Sequence, residues 1–144
     1  MMEKSRDTRG VRNNNPLNIR RSTSLWVGKV KNGTDRSFEQ FHEMWQGLRA
    51  AMYLLTRYHR DYRWHTVKAI ISHWAPASDG NNVEAYVGYV SLYMKKVERT
   101  RQCLFDVVKA MSKVESDYKP EKEELNKAWR NLPASMREYW NVKH

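Results

Sequence analysis

A chain of 144 residues has room for one domain, and with 40% hydrophobic residues, including 6 Trp and 8 Tyr, it can build a core. These values exclude an intrinsically disordered chain, and no stretch is long and apolar enough to span a bilayer. The net charge of +10 calls for a polyanionic partner: nucleic acid, an anionic membrane surface or an anionic cell wall.

Residues 1–8 are charged and polar and read as a frayed start with no apolar leader segment, so the expectation is synthesis in the cytoplasm without a signal peptide. The stretch RGVRNNNPLNIRR, Arg9 to Arg21, then packs four asparagines among four arginines. Asparagine is a poor helix and strand former, so these amides hold something: the chain itself, a nucleic acid or a sugar. Asn13 and Asn15 read as the residues of a structured turn before and around Pro16. LWVGKV and RSFEQF flank Asn32-Gly33, a hairpin-turn signal, and predict a small β-hairpin.

Beyond the hairpin the pattern is helical. Met44, Leu48, Ala51, Met52, Leu55 and Tyr58 recur at helical spacing between His42 and about Tyr62. Thr66 caps a second helix bearing Val67, Ile70, Ile71 and Trp74, which Pro76 stops. Asn81 or Asn82 caps a third, with Val83, Tyr86, Val87, Val90 and Met94. A fourth holds Leu104, Phe105, Val108 and Met111. Pro120 opens a fifth at its first turn, with Leu125, Ala128, Trp129 and Leu132. Pro133 separates a last short helix with Met136, Tyr139 and Trp140. Cys103 lies in an apolar helical pattern and reads as a buried, inert thiol. No His/Cys cluster has the spacing of a metal site, so no metal or cofactor is expected.

RGVRNNNPLNIRR, followed by W-V-G, F-E-Q-F, G-L-R-A-A and A-I-I-S-H-W-A-P, resembles a family of phage and bacterial lysozyme-like proteins, some of them virion-associated and muralytic. The resemblance covers Arg9 to about Val90. It implies a lysozyme-like domain, over residues 1–98; with the small N-terminal β-hairpin read above, the fold expected is mainly α (α+β), and the apolar Trp129, Leu132, Met136 and Trp140 predict a helical C-terminal extension over 99–144 packed on that domain. The resemblance also implies peptidoglycan binding and cleavage of the glycan strand, of muramidase, lytic transglycosylase or glucosaminidase type, by a protein associated with a virion or delivered to the cell wall.

Glycan cleavage needs a carboxylic acid to protonate the leaving oxygen, set where its pKa is raised. The acids near the matched motifs are Asp35, Glu39, Glu43, Asp79 and Glu84, of which Glu84, Asp79, Glu43 and Glu39 are the candidates. Asp79 and Glu84 flank the polar loop after Trp74, where relatives carry a Glu-Asn pair and this chain has Asp79-Gly80-Asn81. Each also has a structural reading: Asp79 as a turn residue, Glu84 and Glu43 as carboxylates at helix N-termini, Glu39 as a solvent-facing strand residue. Asn14 and Asn18 are candidates to pair with glycan hydroxyls and N-acetyl groups, with Arg20 beside them. Trp26, Trp74 and Tyr86 offer flat apolar faces to sugar rings, Trp74 equally suiting a core. His65 and His73 read as surface or structural residues. The rival reading is a non-catalytic virion or cell-wall-binding protein, or a basic nucleic-acid-binding module, resting on the arginines of RGVR and IRR, on Arg49, Arg57, Arg60 and Arg63, and on MKKVERTR.

Overall fold

A computed structural model describes residues 7–141. The frayed start expected over residues 1–8 falls mostly outside that range. Among the described residues the protein has seven α-helices: α1 (Arg9–Arg12), α2 (Met44–Arg60), α3 (Val67–Trp74), α4 (Val83–Val90), α5 (Arg101–Ser116), α6 (Lys122–Arg130) and α7 (Ala134–Trp140). A single 3-10 turn, Ala77–Asp79, follows α3.

Local capping chemistry sets most helix starts. Thr66 Oγ1 accepts from Ala69 N at 3.1 Å, Asn82 Oδ1 from Ala85 N at 3.0 Å, and Thr100 Oγ1 from Cys103 N at 3.1 Å. At α6, Glu121 N donates to Glu124 Oε1 at 2.9 Å, half of a capping box. Pro120 therefore precedes the cap and does not open the helix, as its position alone suggested.

The core is built around α2. Its buried Leu48, Ala51, Met52 and Leu55 face α5, α6 and α7. Helix α4 lies on α3 and α5, and α1 on α5. Helices α5 to α7 thus share one hydrophobic cluster with Leu17, Ile70 and Val90. Trp140 is buried and its indole N–H donates to Thr56 Oγ1 at 2.8 Å. His59 on α2 reaches Val97 O (2.7 Å) through Nε2 and the Tyr139 hydroxyl (2.6 Å) through Nδ1. Burial pushes its pKa down, so the neutral ring is favoured there.

The expected β-hairpin does not form, and no strand is present among the described residues. Segment 37–42 divides its pairing between two partners. Arg20 bridges to Phe38 and Lys29 bridges to Phe41, each an isolated antiparallel bridge. Val30 N donates to Gln40 O at 2.9 Å, while Glu39 N donates to Ile19 O at 3.0 Å. A ladder needs one continuous partner, and neither neighbour extends far enough to provide one. The Asn32-Gly33 signal still marks a turn, with Asn32 at φ 56°, but the loop it closes is wide and is crossed by the Gln40 side chain, which accepts from Asp35 N at 3.1 Å.

Two glycines show how tightly the asparagine-rich loop lies on the helices. A side-chain carbon on Gly47 of α2 would collide with the backbone carbonyl of Asn14, and one on Gly10 with the Ser116 side chain at the end of α5. Gly88 in the middle of α4 faces open space. Gly47→Ala is therefore expected to destabilise by roughly 1–3 kcal/mol despite the better helix former. Gly88→Ala is expected to stabilise by roughly 0.5–1 kcal/mol. Urea denaturation of the two variants beside wild type checks both signs.

Candidate functional site

The four amides are anchored mainly to the protein's own polar groups. Asn13 Nδ2 donates to Asp35 Oδ2 at 2.9 Å. Asp35 also takes two bonds from Arg9, at 2.7 and 2.8 Å, and one each from the N–H groups of Ser37 and Phe38. These donors hold its carboxyl far below the usual range, Arg9 contributing most. Asn14, at φ 52°, donates to Phe41 O at 2.9 Å and His42 O at 3.2 Å. Asn15 is fully buried. Its Nδ2 donates to Ile19 O (3.0 Å) and Glu39 O (2.9 Å), and its Oδ1 accepts from Ile19 N (2.9 Å).

Asn18 makes the long reach. At φ 52° its Nδ2 donates to the carbonyl and to Oε1 of Glu115, both at 3.1 Å. Glu115 lies in the last turn of α5, where the carbonyl end of the helix disfavours negative charge. Burial raises its pKa, while Asn18, Tyr86 and the charge of Arg20 pull the other way without cancelling the rise. The Tyr86 hydroxyl is buried beside the same carboxyl but falls short of hydrogen-bond geometry. Glu115 is therefore a carboxyl whose proton is held more tightly than in an exposed glutamate, with Oε1 bonded by Asn18.

A cleft of about 310 Å³ opens at Asn18. Of the residues singled out from the sequence, Asn18, Arg20, Trp26, Trp74 and Asp79 all line it. Tyr58, Leu54 and His73 complete its apolar wall. The Trp74 indole N–H donates to Leu17 O at 2.9 Å, and the ring packs edge-on against Tyr58. Trp26 packs edge-on against Tyr53, 5.5 Å between centroids. Arg20 pairs with Asp79 at 3.3 Å and lies over Phe38. A second recess of about 370 Å³ continues past Trp26 to Tyr53, Arg49 and Arg57.

The other sequence candidates lie elsewhere. Glu39, expected on a solvent-facing strand or in the cleft, is 1% exposed and paired to Lys29 Nζ at 3.1 Å. It faces inward because its N–H bonds Ile19 O and its C=O bonds Asn15, which turns the side chain under Ser22. Glu43 is the N-cap of α2, its N–H donating to Gln46 Oε1 at 3.0 Å. Glu84 is exposed on the first turn of α4 and is not among the residues lining the cleft. Asn14 is tied to the backbone of 41–42, and Tyr86 is buried beside Glu115 and lines a neighbouring depression. Glu115 itself was not among the sequence candidates. One local signal marks it: it continues the apolar stripe Leu104, Val108, Met111 of its helix, where a carboxylate is out of place. Cys103 is half-buried, accepts from Glu98 N, and has its thiol pKa pushed up by burial. Among the described residues no group of three or more His, Cys, Asp or Glu side chains could hold a metal ion, and no helix is long and apolar enough to cross a membrane.

Two consequences are measurable. Asn15→Ala leaves two buried backbone groups, the Ile19 N–H and the Glu39 carbonyl, without partners and should cost roughly 2–5 kcal/mol by chemical denaturation. Glu115 gives the opposite sign. A carboxyl whose pKa is raised by folding stabilises at pH below the ordinary glutamate value, and that contribution is lost as pH rises through the raised value. Glu115→Gln should therefore match wild type in acid and melt higher near neutral pH. A gain of about 1 kcal/mol corresponds to roughly 2–4 °C. Melting curves across pH check the crossover.

Compared with known proteins, the chain is similar to Protein P5 of Pseudoalteromonas phage PM2, 36% identical over 86 residues, which are 58% of this chain and 53% of that protein. The chain thus spans about half the length of that relative. No family profile matches the chain.

Proposed function

We propose that the protein binds peptidoglycan and cleaves its glycan strand, with Glu115 as the general acid. The observation that carries this reading is the Glu115 carboxyl: its pKa is raised by burial, and it is held by Asn18, which itself lines a cleft walled by Trp26 and Trp74. A general acid works best when its pKa lies near the operating pH, and burial is how a carboxyl gets there. Asn18 occupies Oε1, which leaves Oε2 to carry the proton toward a glycosidic oxygen. As the C–O bond breaks, that proton moves to the leaving hydroxyl, and positive charge develops on the sugar ring.

Asp79 is the second carboxylate of the cleft, paired with Arg20. It is placed to stabilise the developing charge or to activate water. A one-acid route, in which the sugar supplies its own nucleophile, needs Glu115 alone. Tryptophan faces suit the apolar faces of pyranose rings, and the recess running on to Tyr53, Arg49 and Arg57 gives the groove the length of a strand. In this reading the fold is lysozyme-like in the sense that matters for chemistry: an acid at the end of a helix beside an irregular loop. Resemblance to virion-associated muralytic proteins, and the similarity to a phage protein, support a role in which the protein reaches the wall from a virion or by delivery.

Glu115→Gln is expected to lower release of soluble muropeptides from purified peptidoglycan by about 10²–10⁴-fold. Sedimentation binding to the same material should persist. Asp79→Asn should lose rate comparably if water is activated there, and little if the one-acid route operates. Wild type that sediments with peptidoglycan but releases nothing at any pH would replace this reading by a non-catalytic wall binder. Wild type that ignores peptidoglycan and binds DNA in a salt-dependent way would replace it by a basic nucleic-acid module.

A further inference from the structure

A cavity of about 560 Å³ lies outside the cleft, between the end of α4 and one face of α5. Asp106, Lys109, Ala110 and Lys113 come from successive turns of α5, and Tyr89 and Tyr93 close the other side. Lys119 completes the rim and has no ion-pair partner among the described residues. Tyr89 and Lys113 also line the depression that contains Tyr86, which is buried against Glu115. The cavity therefore adjoins the depression that contains Tyr86. Both exposed pairs made by its lysines, Lys109–Asp106 and Lys113–Asp117, are within one helix surface and are weak enough to exchange for a ligand.

We infer that this cavity binds a short, carboxylate-rich peptide: the stem peptide carried by every second sugar of the glycan, so that the protein favours peptide-substituted strands. The inference rests on the peptidoglycan reading for its choice of peptide. Three ammonium groups around an apolar floor fit an extended chain with several carboxylates and small methyl side chains. The single carboxylate, Asp106, fits the free amine of a diamino acid. A bare phosphate polymer would meet Asp106 as a repulsion and would leave the tyrosine-lined, mostly apolar floor unfilled. Glycan hydroxyls would leave the lysines without use.

The test uses the full chain and three probes: a synthetic stem tetrapeptide containing diaminopimelate, chitotetraose, and a single-stranded oligonucleotide. Amide NMR is expected to show the peptide perturbing Tyr89, Tyr93 and Lys113, and chitotetraose perturbing Asn18, Trp26 and Trp74. Lys113→Gln and Lys119→Gln should each weaken peptide binding about tenfold, the loss of one charge-assisted contact, and leave chitotetraose binding unchanged. Chitotetraose binding without any peptide binding overturns the stem-peptide site and spares the glycan reading. Peptide binding without chitotetraose binding supports the site and counts against the glycan reading. Binding of neither overturns both. An oligonucleotide that perturbs Tyr89 and Tyr93 more strongly than the peptide overturns the site in favour of nucleic acid.

Discussion

The structure depends on how the backbone between Asn13 and Glu43 finds hydrogen-bond partners. This segment contains no helix and no strand ladder, yet Leu17, Ile19 and Phe41 within it belong to the core. Buried N–H and C=O groups without partners would cost about 1–3 kcal/mol each. Asparagine amides supply the partners that a sheet would otherwise provide. Asn15 alone closes three backbone bonds across residues far apart in the loop. Asn14 and Asn18 add a second service, since their left-handed backbone turns the chain sharply where most residues would be strained.

The same constraint builds the site. Because the loop is held flat on α2 and α5, the Asn18 amide meets the last turn of α5 and fixes Glu115 there. The Leu17 carbonyl, one residue earlier, orients the Trp74 indole from α3. The cleft is thus assembled from three distant parts of the chain by hydrogen bonds that also hold the fold. A carboxyl in such a place carries a cost: Glu115 is partly buried and set at the wrong end of a helix dipole.

The local parts of this design are legible in the sequence. Thr66, Asn82 and the apolar stripes of α2, α3 and α5 act within a turn or two of themselves, so a sequence displays them. Asn18, Arg20, Trp26, Trp74 and Asp79 could be singled out by residue type and position, and the structure brings them to one cleft. What failed was tertiary. The Asn32-Gly33 signal describes only its own turn, and the splitting of segment 37–42 between Ile19 and Val30 has no local trace. Glu39 looked available because its partner, Lys29, is fixed by that loop, whereas Glu43 stands at the start of α2 as its position suggested. Glu115 stands 97 residues from Asn18, beyond the reach of the matched motifs, and only its place on an apolar stripe distinguishes it.

Carbon-detected NMR titration of the Glu115 side-chain carboxyl, with and without chitotetraose, addresses the account most directly. The account predicts a carboxyl that titrates above the ordinary glutamate value and whose titration moves further when the sugar occupies the cleft. A Glu115 that titrates at the ordinary value and ignores the sugar would contradict it.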